Sequence, residues 1–203
     1  MSDSSKPGSA PLLLAVATRW AAWQPRWQAL QAQRTLWAER DRRWALRLHA
    51  VARYSTLVVV LQAASRLGDG VLWYALIALL AVGGGATARE LAAAMALAGA
   101  VNVVLYLLIK RATGRPRPYA HCADFRARAP ALDQFSFPSG HTVHATAFTL
   151  LLLSYYPVAG VALAPLSLLI IWSRVALGLH YPSDVLAGAA LGTTTATIVL
   201  WLF

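Results

Sequence analysis

Three short clusters hold the residues able to do chemistry in this 203-residue chain. The first is Lys110-Arg111-Ala112-Thr113-Gly114-Arg115-Pro116-Arg117-Pro118, the second Pro138-Ser139-Gly140-His141, and the third Ser173-Arg174 followed by His180 and Asp184. Lys110, Arg117 and Arg174 supply three cations, and a guanidinium meets phosphate oxygens in a bidentate fork. Pro138 can open a helix, which puts the Ser139 hydroxyl and the Gly140 N–H at a helix start, a ready anion site. Together these groups suit a phosphate and the charge that spreads over its oxygens during transfer. His180 and Asp184 stand four apart around a turn with Pro182. The carboxylate can hold one imidazole nitrogen and leave the other as a bare nucleophile. His141 then remains to protonate a departing oxygen.

The elements that must carry these clusters are apolar. The chain is 58% hydrophobic and 13% charged, about half the charge of a soluble domain, and its mean hydropathy is +0.53. Six apolar stretches run from Leu48 to Leu67, Gly70 to Ala88, Leu91 to Ile109, His141 to Tyr156, Val158 to Leu177 and Val185 to Phe203. In lipid an open sheet leaves backbone groups unsatisfied, so the expected fold is all-α, a six-helix transmembrane bundle. The first, second and fourth stretches are short or polar at one end and are expected to tilt or stop early. Gly188, Gly192 and Ala196 fall at the spacing of close helix packing, expected here inside the bundle. Counting crossings brings the end of the third stretch, the start of the fourth, the end of the fifth and the start of the sixth to one membrane face. All three polar clusters therefore converge there.

Ahead of the membrane domain, expected over 48–203, residues 1–18 read as disordered and 19–47 as an amphipathic interfacial helix. Trp23, Leu30, Trp37 and Trp44 recur every seventh residue, with Trp20, Trp27 and Leu48 beside them and arginines on the other faces. A coiled-coil seam is the alternative, disfavoured by the bulk of Trp. Pro11 to Thr18 is too short to span, and no cleavable signal is expected. The net charge of +10 raises nucleic acid as a partner, but no basic cluster with interleaved aromatics lies outside apolar sequence, so none is expected. A lone cysteine, Cys122, excludes an intrachain disulfide and a multi-cysteine metal site. The long insert Lys110 to Phe137 carries His121, Cys122, Asp124, Arg126 and Arg128, which either read a headgroup or form a solvated loop. His49 and Tyr181 receive no role.

Lys110-x6-Arg117-Pro118, Pro138-Ser139-Gly140-His141 and Ser173-Arg174-x5-His180-x3-Asp184 resemble, at every signature position and in order, the three signatures of the type 2 phosphatidic acid phosphatase family. The resemblance implies an integral-membrane phosphatase that needs no metal or other cofactor and acts on lipid phosphates or diphosphates. It implies that His180 attacks phosphorus to give a phosphohistidine, that Asp184 orients it and that His141 is the general acid. Lys110, Arg117, Ser139, Gly140 and Arg174 would hold the phosphoryl group. Phosphatidate, phosphatidylglycerophosphate and undecaprenyl diphosphate are the candidate substrates, the membrane is the implied setting, and the oligomeric state stays open. The main alternative is transfer of the phosphoryl group to a second lipid or a sugar. A zinc site from His141, His144, His180 and Asp184, a serine hydrolase using Ser139 and a non-enzymatic scaffold or lipid carrier are weaker readings, as is the family's soluble vanadium haloperoxidase branch.

Sidedness follows from charge. Nine basic residues from Lys6 to Arg53 precede or begin the first span. The other face holds Arg66, Lys110, Arg111, Arg115, Arg117, Arg126, Arg128 and Arg174, of which Lys110, Arg117 and Arg174 serve phosphate. Asp69, Asp124 and Asp133 offset the rest. Positive-inside bias then expects a cytoplasmic N-terminus, a bacterial inner-membrane location and a catalytic face toward the periplasm or exterior.

Overall fold

The structure, a computed structural model, describes residues 32–33 and 35–203. The chain divides into two compact units, Met1–Arg40 and Asp41–Phe203. In the first, residues 32–33 and 35–40 are helical, and the Arg40 guanidinium sits 5.6 Å from the Trp37 ring centroid. The segment expected to be disordered, 1–18, and the Trp-Arg helix as far as residue 31 lie outside the described residues.

The second unit is all-α. Its helices are α1 (41–49), α2 (Ser55–Leu67), α3 (Val71–Gly83), α4 (Ala86–Thr113), α5 (Pro118–His121), α6 (Gly140–Tyr155), α7 (Pro157–Ala176) and α8 (Pro182–Leu202), with a 3-10 turn at Ala50–Arg53. All six expected apolar stretches are therefore helices, α2, α3, α4, α6, α7 and α8. α6 is the hub and packs against α4, α7 and α8. Val143, Ala147, Phe148 and Leu151 of α6 are buried, and Phe148 meets Trp73 with ring centroids 5.2 Å apart.

α4, α7 and α8 are each long and apolar enough to cross a membrane. α2 and α3 have 13 residues each, about 20 Å of helix against a hydrocarbon core of about 30 Å. They join across Gly68–Gly70 at a bend of 46°, and only as a pair are they long and apolar enough to cross a membrane. Gly70 takes φ 130°, a left-handed backbone that a side chain would strain.

This bend changes the helix count on which the expected sidedness rests. Residues before the first span are expected across the membrane from the catalytic clusters, but α1 and the start of α2 lie at the same end. Leu61 of α2 is buried with Ala176, Leu177 and Leu179 at the finish of α7, and Ala45 of α1 with Phe125, Val175 and Tyr181. The opposite end is marked by the start of α4 and the finish of α6, where the Tyr155 hydroxyl donates to Glu90 Oε1 at 3.0 Å. The physical reason is length. The 3-10 turn with Arg53 shortens the expected Leu48–Leu67 helix, so α2 reaches only part of the way and α3 completes the crossing.

α8 lies against α6 through its glycines. A side chain at Gly188 would meet the Ser139 carbonyl at 2.8 Å, and one at Gly192 would run into the Val143 carbonyl. Gly192→Ala is expected to destabilise the bundle by about 1–3 kcal/mol, the usual cost of overpacking. Thermal unfolding in detergent checks this against Gly83→Ala, where the nearest atom is an ordinary 3.8 Å away. Equal melting temperatures for the two variants would contradict the close α6–α8 contact.

Candidate active site

α4 ends at Thr113, and Gly114 terminates it with φ 57°, turning the chain into the Arg115–Pro118 stretch. Pro118 opens α5 at its first turn, where a missing N–H costs nothing. A single antiparallel bridge between Pro116 and Phe135, with Ser136 N–H donating to Arg115 O at 2.8 Å, closes the long loop back onto α4. These contacts fix Lys110 and Arg117 beside each other. α6 starts two residues later than Pro138 would allow, with Ser139 as its N-cap. Its first helical bond runs from Val143 N–H to Ser139 O at 3.0 Å, so the helix does not use the N–H groups of Gly140, His141 and Thr142.

Lys110, Arg117, Gly140, His141, Arg174 and His180 line one cavity of about 430 Å³. The three cations are almost fully buried, at 3%, 1% and 1% exposure. Buried cations need anions, and Asp133 supplies one. Lys110 Nζ donates to its two carboxylate oxygens at 2.9 and 2.8 Å and to Phe135 O at 3.0 Å. Arg117 donates from Nη2 to Asp133 Oδ1 and from Nε to Asp133 O, both at 2.9 Å. Burial alone would raise the Asp133 carboxyl, but the Lys110 hydrogen bond and charge, with Arg117 behind, hold it below the usual carboxylate range. Arg174 Nη1 donates to Ser65 Oγ, while its buried Nε has no hydrogen-bond partner among the described residues.

The tautomer of His180 follows from Arg117. Arg117 Nη1 lies 3.0 Å from His180 Nε2, and a guanidinium only donates, so Nε2 presents a lone pair and the proton sits on Nδ1. Nδ1 points toward Asp184 Oδ2 at 3.5 Å, too far for a hydrogen bond. Asp184 is thus beside the imidazole as expected but slack against it, a common state before substrate tightens a site. Burial first, then the charges of Arg174, Arg117 and Lys110, push the His180 imidazole well below its ordinary value, so it is neutral at neutral pH.

His141 has a carboxylate partner that the sequence clusters do not contain. Its Nε2 lies 2.7 Å from Asp69 Oδ1 and 3.2 Å from Ser65 O. Both are acceptors, so Nε2 carries a proton and Nδ1 is the nitrogen left for other work. Asp69 sits in the Gly68–Gly70 turn of the broken span. The signal was available, a lone ionisable residue between two apolar helices. Asp133 carried no such signal beyond its charge.

Other expected residues fall elsewhere. Ser139 is fully buried behind the cavity; its hydroxyl accepts from Thr142 at 3.0 Å and its N–H donates to Asp184 O at 3.0 Å. His144 stacks on Phe148 and meets Tyr106 edge-on, and its Nε2 approaches Gly99 O at 3.5 Å. Among the described residues no three His, Cys, Asp or Glu side chains gather as a metal would need. None of His121, Cys122, Asp124, Arg126 and Arg128 lines the cavity; the loop instead presents Leu132 and Asp133 to it. Arg128 N–H donates to Leu177 O at 3.0 Å and Arg42 pairs with Asp124 at 2.9 Å, so this part of the loop packs over the α7–α8 turn and α1.

Comparison with known proteins places this geometry in a lineage. Residues 87–203 match the model of the PAP2 superfamily. A decaprenylphosphoryl-5-phosphoribose phosphatase of Mycobacterium tuberculosis is 41% identical over 95 residues, 46% of this chain and 50% of that protein. An undecaprenyl-diphosphatase of Sulfolobus acidocaldarius is 30% identical over 147 residues, 70% of this chain and 68% of that protein. The chain spans about half the length of the first of these curated relatives. The fold is that of a transmembrane PAP2-type phosphatidylglycerolphosphate phosphatase from Bacillus subtilis, with a TM-score of 0.68 at 23% identity over 81% of this chain and 85% of that one. The match covers more than half of the sequence and includes all three clusters, and the chain belongs to the PAP2 superfamily.

Proposed function

We propose that the protein is a membrane lipid phosphatase that removes a terminal phosphate from a polyprenyl-linked phosphate or diphosphate. The observation that carries this reading is the shape of the cavity. It runs from the buried cations at one end to Trp73, Ile77, Met95, Val103 and Phe148 at the other, between α3, α4 and α6. A molecule with a phosphate at its head and a hydrocarbon next to it fits that gradient. The names of the two relatives support a polyprenyl carrier as the lipid.

In the reaction, the His180 Nε2 lone pair attacks phosphorus while the bond from phosphorus to the leaving oxygen breaks. Lys110, Arg117, Arg174 and the N–H groups at the start of α6 take the equatorial oxygens. Arg117 Nη1 turns from His180 to a phosphoryl oxygen as the lone pair is used. His141 enters as the imidazolium paired with Asp69 and gives its Nδ1 proton to the leaving oxygen, while Asp69 holds Nε2–H. Water then loses a proton to His141 and attacks the phosphohistidine, the P–N bond breaks, and inorganic phosphate leaves with His180 restored. Ser139 acts from behind the site by fixing the start of α6 against α8. No step asks for a metal.

Orientation reverses once α1 is placed at the catalytic end. Setting aside Lys110, Arg117 and Arg174, that end carries Arg42, Arg43, Arg47, Arg53, Arg66, Arg111, Arg115, Arg126 and Arg128, and the far end only Arg89 among the described residues. Positive-inside bias then supports a catalytic face toward the cytoplasm, contrary to the periplasmic expectation.

His180→Ala is expected to abolish phosphate release from a decaprenyl or undecaprenyl phosphate in mixed micelles, with wild-type activity surviving EDTA. An acid-labile, base-stable phosphoenzyme should appear in the wild type and vanish in the variant. A label that persists in His180→Ala contradicts the assignment. Asp69→Asn should lower kcat by about 10²–10⁴-fold on lipid substrates, whose leaving oxygen needs a proton, and far less on an aryl phosphate with a good leaving group. Equal losses on both would remove Asp69 from the acid's support. For orientation, Ala127→Cys and Gly85→Cys in a Cys122→Ser background are treated with an impermeant maleimide. Intact cells should label only Gly85→Cys, and the opposite pattern would turn the catalytic face outward.

A further inference from the structure

α1 lies directly across the turn that carries His180. Ala45 is fully buried beneath it among Phe125, Val175 and Tyr181. The His49 ring donates through Nδ1 to Ala176 O at 2.8 Å, and a side chain at Gly178, which has φ 76°, would run into that ring at 3.2 Å. One residue of α1 reaches farther. Asp41 Oδ1 accepts the Ser183 N–H at 3.0 Å, in the first turn of α8, where the helix offers no acceptor of its own. Asp41 Oδ2 accepts from Arg115 Nη2 at 2.7 Å and from the Ser183 hydroxyl.

Arg115 passes this contact on. Its other arm, Nη1, donates to Asp184 Oδ1 at 2.7 Å and to Ser183 Oγ at 2.6 Å, and its guanidinium lies 4.2 Å from the Tyr181 ring centroid. Asp184 spends its second oxygen on the Tyr181 N–H at 2.8 Å, with His180 Nδ1 3.5 Å away. The carboxylate that faces the imidazole is thus held on one side by its own turn and on the other by the Arg115 guanidinium, with the Ser136 hydroxyl also against it. That guanidinium is in turn held by Asp41. The side chains of Asp41, Arg115 and Asp184 are 12%, 26% and 0% exposed, so solvent weakens the chain little at its inner end.

We propose that Asp41 is a positioning residue for the reaction: through Arg115 and Ser183 it sets where Asp184 stands against His180. Asp41 lies outside residues 87–203, the part matched to the superfamily, so α1 is a brace for the catalytic turn as well as a helix of interfacial composition. Without Asp41, Arg115 keeps its partner in Asp184 but loses the contact that fixes its position. It is then free to draw the carboxylate away from the imidazole. Displacement of a catalytic partner by about 1 Å can cost about 100-fold in rate. The inference rests on His180 as the nucleophile.

The test uses the full chain in detergent with Asp41→Ala, Asp41→Asn and Asp41→Glu, and Arg43→Ala, an exposed residue of the same helix, as the comparison. Asp41→Ala is expected to lower kcat about 100-fold, with KM and inhibition by vanadate changed less than about twofold. Asp41→Asn, which keeps an acceptor for Ser183 N–H and loses the charge, should fall between. Asp41→Glu should recover at least a tenth of wild-type kcat, and Arg43→Ala should match wild type. Full kcat in Asp41→Ala overturns the proposal. So does a loss in which KM rises as much as kcat falls and Asp41→Glu restores nothing, because that pattern marks general disruption. If Asp41→Ala does not fold, the Asn and Glu variants carry the same comparison. His180→Ala measured alongside separates the two readings: if it stays active the catalytic assignment fails, and if it is inactive while Asp41→Ala is fully active only the brace fails.

Discussion

Three cations buried at one end of an apolar bundle are the constraint on which the rest of this structure depends. Lys110, Arg117 and Arg174 are each withdrawn from water by the packing around them. An isolated buried charge costs several kcal/mol unless paired and hydrogen-bonded. Asp133 meets that demand for Lys110 and Arg117, and Asp69 adds a second negative charge nearby. Arg174 Nε remains buried without a partner. A cluster that still has a donor to give and more positive than negative charge is built for an anion. Burial first, and then the same field, keep His180 neutral, so the charges that would bind a phosphate also help keep the imidazole lone pair available.

Holding such a cluster requires that helix ends meet in depth, and the apolar packing supplies this. α6 and α8 approach through Gly188 and Gly192, so the start of α6 and the start of α8 are level, and Ser139 N–H can reach Asp184 O. The break between α2 and α3 serves the same end. It brings a polar turn, Gly68–Gly70, down to the level of His141 and lets Asp69 and the Ser65 carbonyl hold the imidazole. A continuous apolar helix there would offer His141 nothing to bond. The bend between these two apolar stretches is therefore also what completes the acid side of the site.

Much of this was legible in the sequence, for a physical reason. Polar residues at the ends of apolar stretches have few places to go, so counting helix ends was enough to bring Lys110, Arg117, His141, Arg174, His180 and Asp184 together. What the count missed has a common cause. Asp69, Asp133, Arg115 and Asp41 act through pairings between distant parts of the chain, which leave no spacing in the sequence. Asp133 looked like one acidic residue in a loop, and His121 to Arg128 looked no less suited to a headgroup. The first two apolar stretches were expected to tilt or stop early, and α2 and α3 do stop at 13 residues each, but hydropathy did not show that they join end to end at a bend. The sidedness expectation loses the count it rested on, because α1 lies at the catalytic end of the bundle. Ser139 was expected just inside a helix opened by Pro138; it is instead the N-cap of α6 and stands behind the cavity, its hydroxyl taken by Thr142.

The cluster is an anion site whose present anion is a side chain. The most direct test is a structure of the protein with vanadate bound, which takes the trigonal-bipyramidal shape of transferring phosphorus. Vanadium is expected bonded to His180 Nε2, with Lys110 and Arg117 turned from Asp133 to vanadate oxygens and Arg174 Nε donating to a third. Vanadate bonded to Ser139, or held outside a cluster in which Asp133 keeps both cations, would contradict it.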